Sequence, residues 1–350
     1  VGRLKDETTG MKSFGLFKAI TLVATMLALC VVVLGAYVRL SDAGLGCPDW
    51  PGCYGAMSVP QSEAAILHAQ NAYPDKPIVE HKAWKEMAHR YAAGTLGLLV
   101  LALAILAWRA KRFIKCSPWV PTFLLLLIMG QALLGMWTVT LLLKPVIVTA
   151  HLLGGMTTLG LLAWLAHRHW GVVASSFVKP SGLRFLIRAS LLVVSLQVFL
   201  GGWTSSNYAA LACTDFPTCH GAWMPDMDFQ GAFHVLRDLG QGADGKPLEL
   251  AAYTAIQWSH RIGALVTFAY VGLLGLLLAR YKSMQAVATA MLVVLLAQVG
   301  MGIANLVLHL PLPLAVGHNL GAALLVISLV IANSKVTGLP KRNFINGRFS

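Results

Sequence analysis

Four histidines, His89, His151, His260 and His318, stand inside long apolar stretches and come in two matched sets. Ala88-His89-Arg90-Tyr91-Ala92-Ala93-Gly94 recurs as Ser259-His260-Arg261-Ile262-Gly263-Ala264. Gln131, Gly135 and His151-Leu152-Leu153-Gly154 recur as Gln298, Gly302 and His318-Asn319-Leu320-Gly321. A single buried histidine is more often a hydrogen-bonded core residue than a ligand. Four in repeat-matched pairs within lipid, where an ionisable side chain is costly and by default functional, shift that balance. Two imidazoles at one depth on different helices of a bundle can face each other across its core, which is the geometry of axial ligation to a heme iron. The pattern therefore predicts two bis-histidine heme sites.

Zinc or copper would need more nitrogen or sulfur ligands at the same depth. The apolar stretches supply few, because Cys30 and Cys116 have no counterpart in the other half and read as structural. His68, His81, His167, His169, His220, His234 and His309 also lack repeat partners. Most are expected to be solvated loop residues, with His309 at an outer surface.

Beside the histidines stand three further groups. Arg90 and Arg261 directly follow the first histidine of each pair. They suit either snorkelling to the membrane surface or hydrogen bonding to heme propionates. Glu86 precedes His89 by one helical turn on the same face, whereas Gln257 holds the equivalent place before His260. That difference predicts proton chemistry or charge stabilisation at the first site and simple cofactor retention at the second. Cys47-Pro48-Asp49-Trp50-Pro51-Gly52-Cys53 matches Cys213-Thr214-Asp215-Phe216-Pro217-Thr218-Cys219. The matched spacing on an oxidising face predicts the disulfides Cys47–Cys53 and Cys213–Cys219, as loop staples first, with a redox role toward electrons or a partner thiol as the lesser alternative.

The elements that must position these groups follow from composition. Of 350 residues, 57% are hydrophobic and 12% charged, far from the soluble globular norm. Stretches of about 20 apolar residues, enough to cross a bilayer, occupy 17–38, 87–108, 119–141, 146–166, 185–204, 255–279, 286–308 and 314–333. The fold class is therefore all-α integral membrane, with eight transmembrane helices as two pseudo-twofold-related four-helix bundles. Residues 1–168 form the N-terminal half, 185–335 the C-terminal half and 336–350 a cytoplasmic tail. Long external connections lie near 40–86 and 205–254, the second irregular apart from a short helix.

A net charge of +13 might suggest a nucleic-acid partner, but the basic residues flank the spans on one side. Lys12, Lys18, Arg109, Lys111, Arg112, Lys115, Arg168, Lys179, Arg184, Arg280, Lys282, Lys335, Lys341 and Arg342 place both termini in the cytoplasm by the positive-inside rule. The partners expected are membrane lipid and no nucleic acid. The first apolar run is too long for a cleaved secretory signal and is the counterpart of the fifth. No Arg- and Ser-rich transit segment precedes it, which favours a bacterial plasma (inner) membrane.

These features together resemble the heme A synthase family: duplicated four-helix halves, Glu86-Met87-Ala88-His89-Arg90, external cysteine pairs, and His151, His260 and His318. The resemblance runs over 17–333. It implies that heme O is the substrate between His89 and His151, and that heme b is a cofactor between His260 and His318. Glu86 would be the catalytic carboxylate as a porphyrin ring methyl is oxidised, through an alcohol and a hydrated aldehyde, to a formyl group. Expected partners are heme O, an electron-transfer protein, heme O synthase and cytochrome oxidase assembly factors. A di-heme cytochrome b-type quinol or electron-transfer protein, or a heme carrier, is the alternative. Glu86 against Gln257 favours the enzyme.

Overall fold

The computed structural model describes residues 2–114, 116–170, 181–242 and 244–337. Lys115, Lys179, Lys341 and Arg342 of the charge argument, and all of the 336–350 tail beyond residue 337, lie outside the described residues. Among the described residues there are ten helices and no extended strand. They are α1 (Gly2–Leu40), α2 (Glu63–Ala72), α3 (Glu80–Arg109), α4 (Trp119–Thr140), α5 (Pro145–Trp170), α6 (Ser181–Ser206), α7 (Phe229–Ala232), α8 (Leu250–Ala279), α9 (Gln285–Val307) and α10 (Leu312–Thr337).

Eight of these, all but α2 and α7, are long and apolar enough to span a membrane. Large side chains such as Leu98, Leu126, Leu196, Leu265 and Leu296 are exposed along them. In water those surfaces would be a liability, whereas lipid makes them ordinary. The chain is a multi-pass membrane protein.

Helices outrun the apolar stretches. α3 begins at Glu80, so Glu86 is a helical residue rather than the end of a loop. The first long connection also carries α2, where the Ser62 hydroxyl accepts from the Ala65 N–H and so starts the helix. In the second, only the short α7 forms, capped by Asp228.

Packing follows the repeat. In the N-terminal half α1 packs on α3 and α5, α3 on α4, and α4 on α5. In the C-terminal half α6 packs on α8 and α10, α8 on α9, and α9 on α10. The halves meet where α1 and α5 lie against α10, and α5 against α6. Their shared core includes Leu103, Leu159, Leu162, Ile187, Val271 and Leu329.

Polar clasps join the halves near the two long connections. Arg39 donates to the Ser205 carbonyl at 3.0 Å and lies over the Tyr208 ring at 4.1 Å. The Thr149 and Ser206 hydroxyls pair at 3.1 Å, and Lys144 meets Asp238 at 3.2 Å. At the opposite ends of the helices, Lys18 sits 4.3 Å from the Trp170 ring while Trp170 Nε1 donates to the Lys18 carbonyl at 2.9 Å. Such aromatic and cationic pairs are typical of a membrane–water boundary.

Candidate functional site

Each of the four histidines packs against a glycine on the helix before it. A Cβ at Gly35 would stand 3.0 Å from His89 Nε2, and one at Gly201 would stand 3.0 Å from His260 Cε1. The corresponding separations are 3.5 Å for Gly135 and His151 Cε1, and 3.3 Å for Gly302 and His318 Cε1. At Gly35, Gly201 and Gly302 a Cβ would crowd the ring, so glycine gives those imidazoles their room, whereas at Gly135 it would make an ordinary van der Waals contact. His89 lies within electrostatic reach of His151, and His260 of His318.

All four histidines are half-buried, and Nδ1 of both His151 and His318 is buried without a hydrogen-bond partner. An orphaned buried imidazole nitrogen is costly unless the site is completed by something else. Paired imidazoles on facing helices, with ring surface still accessible inside an apolar bundle, fit a heme iron held axially. The alternative of zinc finds no support in the donor set. Among the described residues the one group of three potential metal ligands is Cys213, Cys219 and His220, and both sulfurs are in a disulfide.

Glu86 is 4% exposed, and both its oxygens are engaged. Oε2 accepts the Cys47 N–H at 2.9 Å, and Oε1 accepts from Arg90 Nη2. Gln257, its equivalent, donates to the Ala210 carbonyl at 3.5 Å and leaves Oε1 buried without a partner. The first site thus holds an ion pair one turn from its histidine. The second holds a neutral amide.

Arg90 and Arg261 turn toward the disulfide loops. Arg90 Nη1 donates to the carbonyls of Asp49 at 2.9 Å, Pro51 at 3.3 Å and Gly52. Arg261 donates to the carbonyls of Thr218 at 2.8 Å, Asp215 at 2.9 Å and Cys213 at 3.0 Å. Neither guanidinium snorkels away from the protein; each fastens the loop above its own histidine.

Those loops are built alike. Cys47 is bonded to Cys53 and Cys213 to Cys219. Asp49 accepts the N–H groups of Tyr54 at 2.6 Å and Gly55 at 2.7 Å, as Asp215 accepts those of His220 at 2.7 Å and Gly221 at 3.0 Å. Tyr54 and His220 both have φ of 53°, and Gly55 and Gly221 have φ of 77° and 75°. The two-residue turn after the second cysteine therefore needs the aspartate to hold it. The Thr218 hydroxyl, then the Gly221 and His220 N–H groups, hold the Asp215 carboxyl below its ordinary range.

Comparison with known proteins identifies this architecture. Residues 18–330 match the family model described as cytochrome oxidase assembly protein. A heme A synthase of Shewanella oneidensis is 46% identical over 90% of this chain and 94% of that protein. The chain belongs to the heme A synthase family. More distant members include those named heme A synthase from Caulobacter vibrioides, 29% identical over 87% of this chain and 91% of that protein, and Halalkalibacterium halodurans, 27% identical over 72% and 76%.

One expectation changes within this family member. His169 is not a solvated loop residue: it is 3% exposed on α5, its Nδ1 lies 2.8 Å from the Leu165 carbonyl, and its ring meets Phe17 edge-on. The helix simply continues past the apolar run that was legible in the sequence. Cys30 is exposed on α1 and Cys116 half-buried, both as free thiols. Burial pushes the Cys116 thiol up to about 11. His309 is exposed at the turn between α9 and α10. Missed altogether was Gln197, whose amide lies 3.0 Å from His260 Nδ1. Its signal was present, because Gln197 precedes Gly201 by four residues as Gln131 precedes Gly135 and Gln298 precedes Gly302.

Proposed function

We infer that this chain works as a heme A synthase, an oxidoreductase converting heme O to heme A, with two hemes held by its four histidines. The observation that carries the reading is the matched set of histidine pairs, each ring seated against a glycine, in a member of this family. Heme O is the substrate of the N-terminal half (1–168), between His89 and His151. Heme b is resident in the C-terminal half (185–335), between His260 and His318, and when bound it supplies electron transfer. A twofold axis along the membrane normal would relate the halves, and the repeated order of helix packing supports it.

Glu86 is the catalytic group of choice because the first half alone has a carboxylate one turn from its histidine. Oxidation of a ring methyl to a formyl group releases protons and passes through an electron-deficient carbon. A buried carboxylate can accept a proton and stabilise positive charge there, whereas the amide of Gln257 can do neither. Arg90 orients Glu86 and fixes the loop above it, which excludes water from the same space. Arg90 and Arg261, next to His89 and His260, would meet heme propionates as a second role beside the loop carbonyls they already hold.

The basic ends of α3, α5 and α8 opposite the disulfide loops support a bacterial inner membrane location with both termini in the cytoplasm. An electron-transfer protein, heme O synthase and oxidase assembly factors are the partners this activity requires or adjoins. A di-heme cytochrome b-type electron carrier, or a heme carrier, would have no use for the difference between Glu86 and Gln257. Pigment extraction from purified protein separates these readings. Heme B together with heme O or heme A is expected; heme B alone would support the electron carrier and overturn the synthase.

A further inference from the structure

Three of the four histidines are followed three residues later by a glycine one helical turn deeper: His151 by Gly154, His260 by Gly263 and His318 by Gly321. Each glycine leaves a notch filled by a carboxamide from the adjoining helix. The atoms nearest a Cβ at Gly154 belong to Gln131, at Gly263 to Gln197 and at Gly321 to Gln298. Each glutamine in turn lies four residues before the glycine that faces the same histidine. Since i and i+4 share a helix face, glutamine and ring-facing glycine on one helix meet notch glycine and histidine on the next. The device occurs on α4 with α5, on α6 with α8, and on α9 with α10.

At the fourth site it is missing. Val31 stands four residues before Gly35, and Ala92 stands three residues after His89. There is no amide on that face of α1, and no notch on α3 to receive one.

An imidazole that gives one nitrogen to iron carries its proton on the other, and a hydrogen-bond acceptor for that proton fixes the ring and raises its basicity. Gln197 is already at His260, its Nε2 standing 3.0 Å from Nδ1 and donating to the His260 carbonyl at 3.1 Å, so that accepting an Nδ1 proton would require the amide to turn its oxygen to the ring. The amide oxygens of Gln197 and Gln298 are buried and unpartnered, as is Nδ1 of both His151 and His318. His151 and His318 lie against the backbone of Gln131 and Gln298 themselves, so the same residue that fills the notch supplies the polar neighbour of the ring. Around His89, by contrast, Glu86 and Arg90 are committed to each other and to the first loop.

We propose that Gln131, Gln197 and Gln298 tether His151, His260 and His318, and that His89, flanked by Val31 and Ala92 instead, is the axial ligand built to let go. The inference rests on reading the four histidines as heme ligands. It assigns substrate exchange to the α1–α3 side of the N-terminal site. His151 keeps hold of the ring as heme O arrives and heme A leaves, while the C-terminal heme is tethered on both faces and stays.

The test uses the full-length protein purified in detergent and loaded with heme O. Wild type, Val31→Gln with Ala92→Gly, and Gln197→Val are each mixed with excess apomyoglobin. Transfer is followed optically, and the pigment that moves is identified by chromatography. Loss of a partner to a ligating histidine typically changes metal affinity roughly 10–100-fold. Installing the glutamine and notch beside His89 is therefore expected to slow heme O release about tenfold or more and to lower its high-spin fraction. Gln197→Val is expected to speed loss of heme b by a similar factor. If the double variant does not hold its fold, Val31→Gln alone and Gln197→Val decide the matter. Unchanged release at the N-terminal site, with both hemes bound, overturns the proposal and leaves the heme reading intact. Failure of wild type to hold heme at either histidine pair overturns the reading itself.

Discussion

Glu86 accepts a hydrogen bond from the backbone N–H of Cys47 at 2.9 Å, so a carboxylate in a membrane helix is bound directly to the first residue of a loop disulfide. The proposed catalytic group and the loop are one assembly. The C-terminal half has the disulfide and the arginine clasp but an amide in place of the carboxylate.

Glu86→Gln retains an oxygen that can accept the Cys47 N–H and removes only the charge. Both hemes are expected to stay bound while heme A formation falls roughly 100-fold or more, within the range for losing a general base. Chromatographic heme composition with an optical spectrum checks this. Normal heme A production would make Glu86 a helix-end charge that only anchors the loop.

The histidine pairs are expected to separate cofactor from substrate. Replacing His260 or His318 with Met should remove the tightly held heme b spectrum, and replacing His89 or His151 should chiefly block product. Full retention of heme b in a His260 and His318 double variant would overturn the assignment.

Glycines supply an independent check on the same sites. Gly201→Ala places a methyl 3.0 Å from His260 Cε1, whereas nothing lies within 4 Å of a Cβ at Gly300. Overpacking of this kind costs about 1–3 kcal/mol, so heme b occupancy should drop about tenfold or more in Gly201→Ala. Gly300→Ala should keep it. Equal occupancy in the two variants, measured by pyridine hemochrome, would show that the ring has room to spare.

Each loop should be a closed unit in protein purified without reductant. Peptide mapping is expected to find Cys47 with Cys53 and Cys213 with Cys219, each bridge stabilising its loop by about 2 kcal/mol. A bridge between the two loops, or four free thiols, would contradict it.

Acid should release the second loop late. A carboxyl whose folded pKa is depressed contributes stability that is complete above its unfolded value and fades as pH falls through the folded one. For Asp215, held down first by Thr218, that contribution is whole above about pH 4 and is lost only in stronger acid. Limited proteolysis between 213 and 222 should therefore stay flat from neutrality down to that point in wild type and be raised throughout in Asp215→Asn.

Much of this was legible in the chain. Apolar runs separated by basic clusters mark the spans because lipid admits little else, and the histidines declared themselves by recurring within those runs. Helix ends were less visible, since α3 and α5 continue through polar residues such as Glu80 and His169 that hydropathy alone excludes. The roles of Arg90 and Arg261 depended on the loop carbonyls of Asp49 and Asp215 folding back over the helix ends, a long-range matter that spacing does not encode. Gln197 was overlooked because its counterpart is Val31, and repeats draw the eye to identities rather than to the place where one copy departs.

The contacts of α1 and α5 with α10, and of α5 with α6, bear on how two unlike sites came to share one protein. Had the halves remained separate identical subunits meeting across this surface, every substitution would have appeared in both sites at once. A carboxylate gained in one half would have been gained in the other, and a glutamine lost from one would have been lost from both. Joined in a single chain, each half inherits its own changes. Glu86 against Gln257, and Val31 against Gln197, are differences that only such a chain can carry.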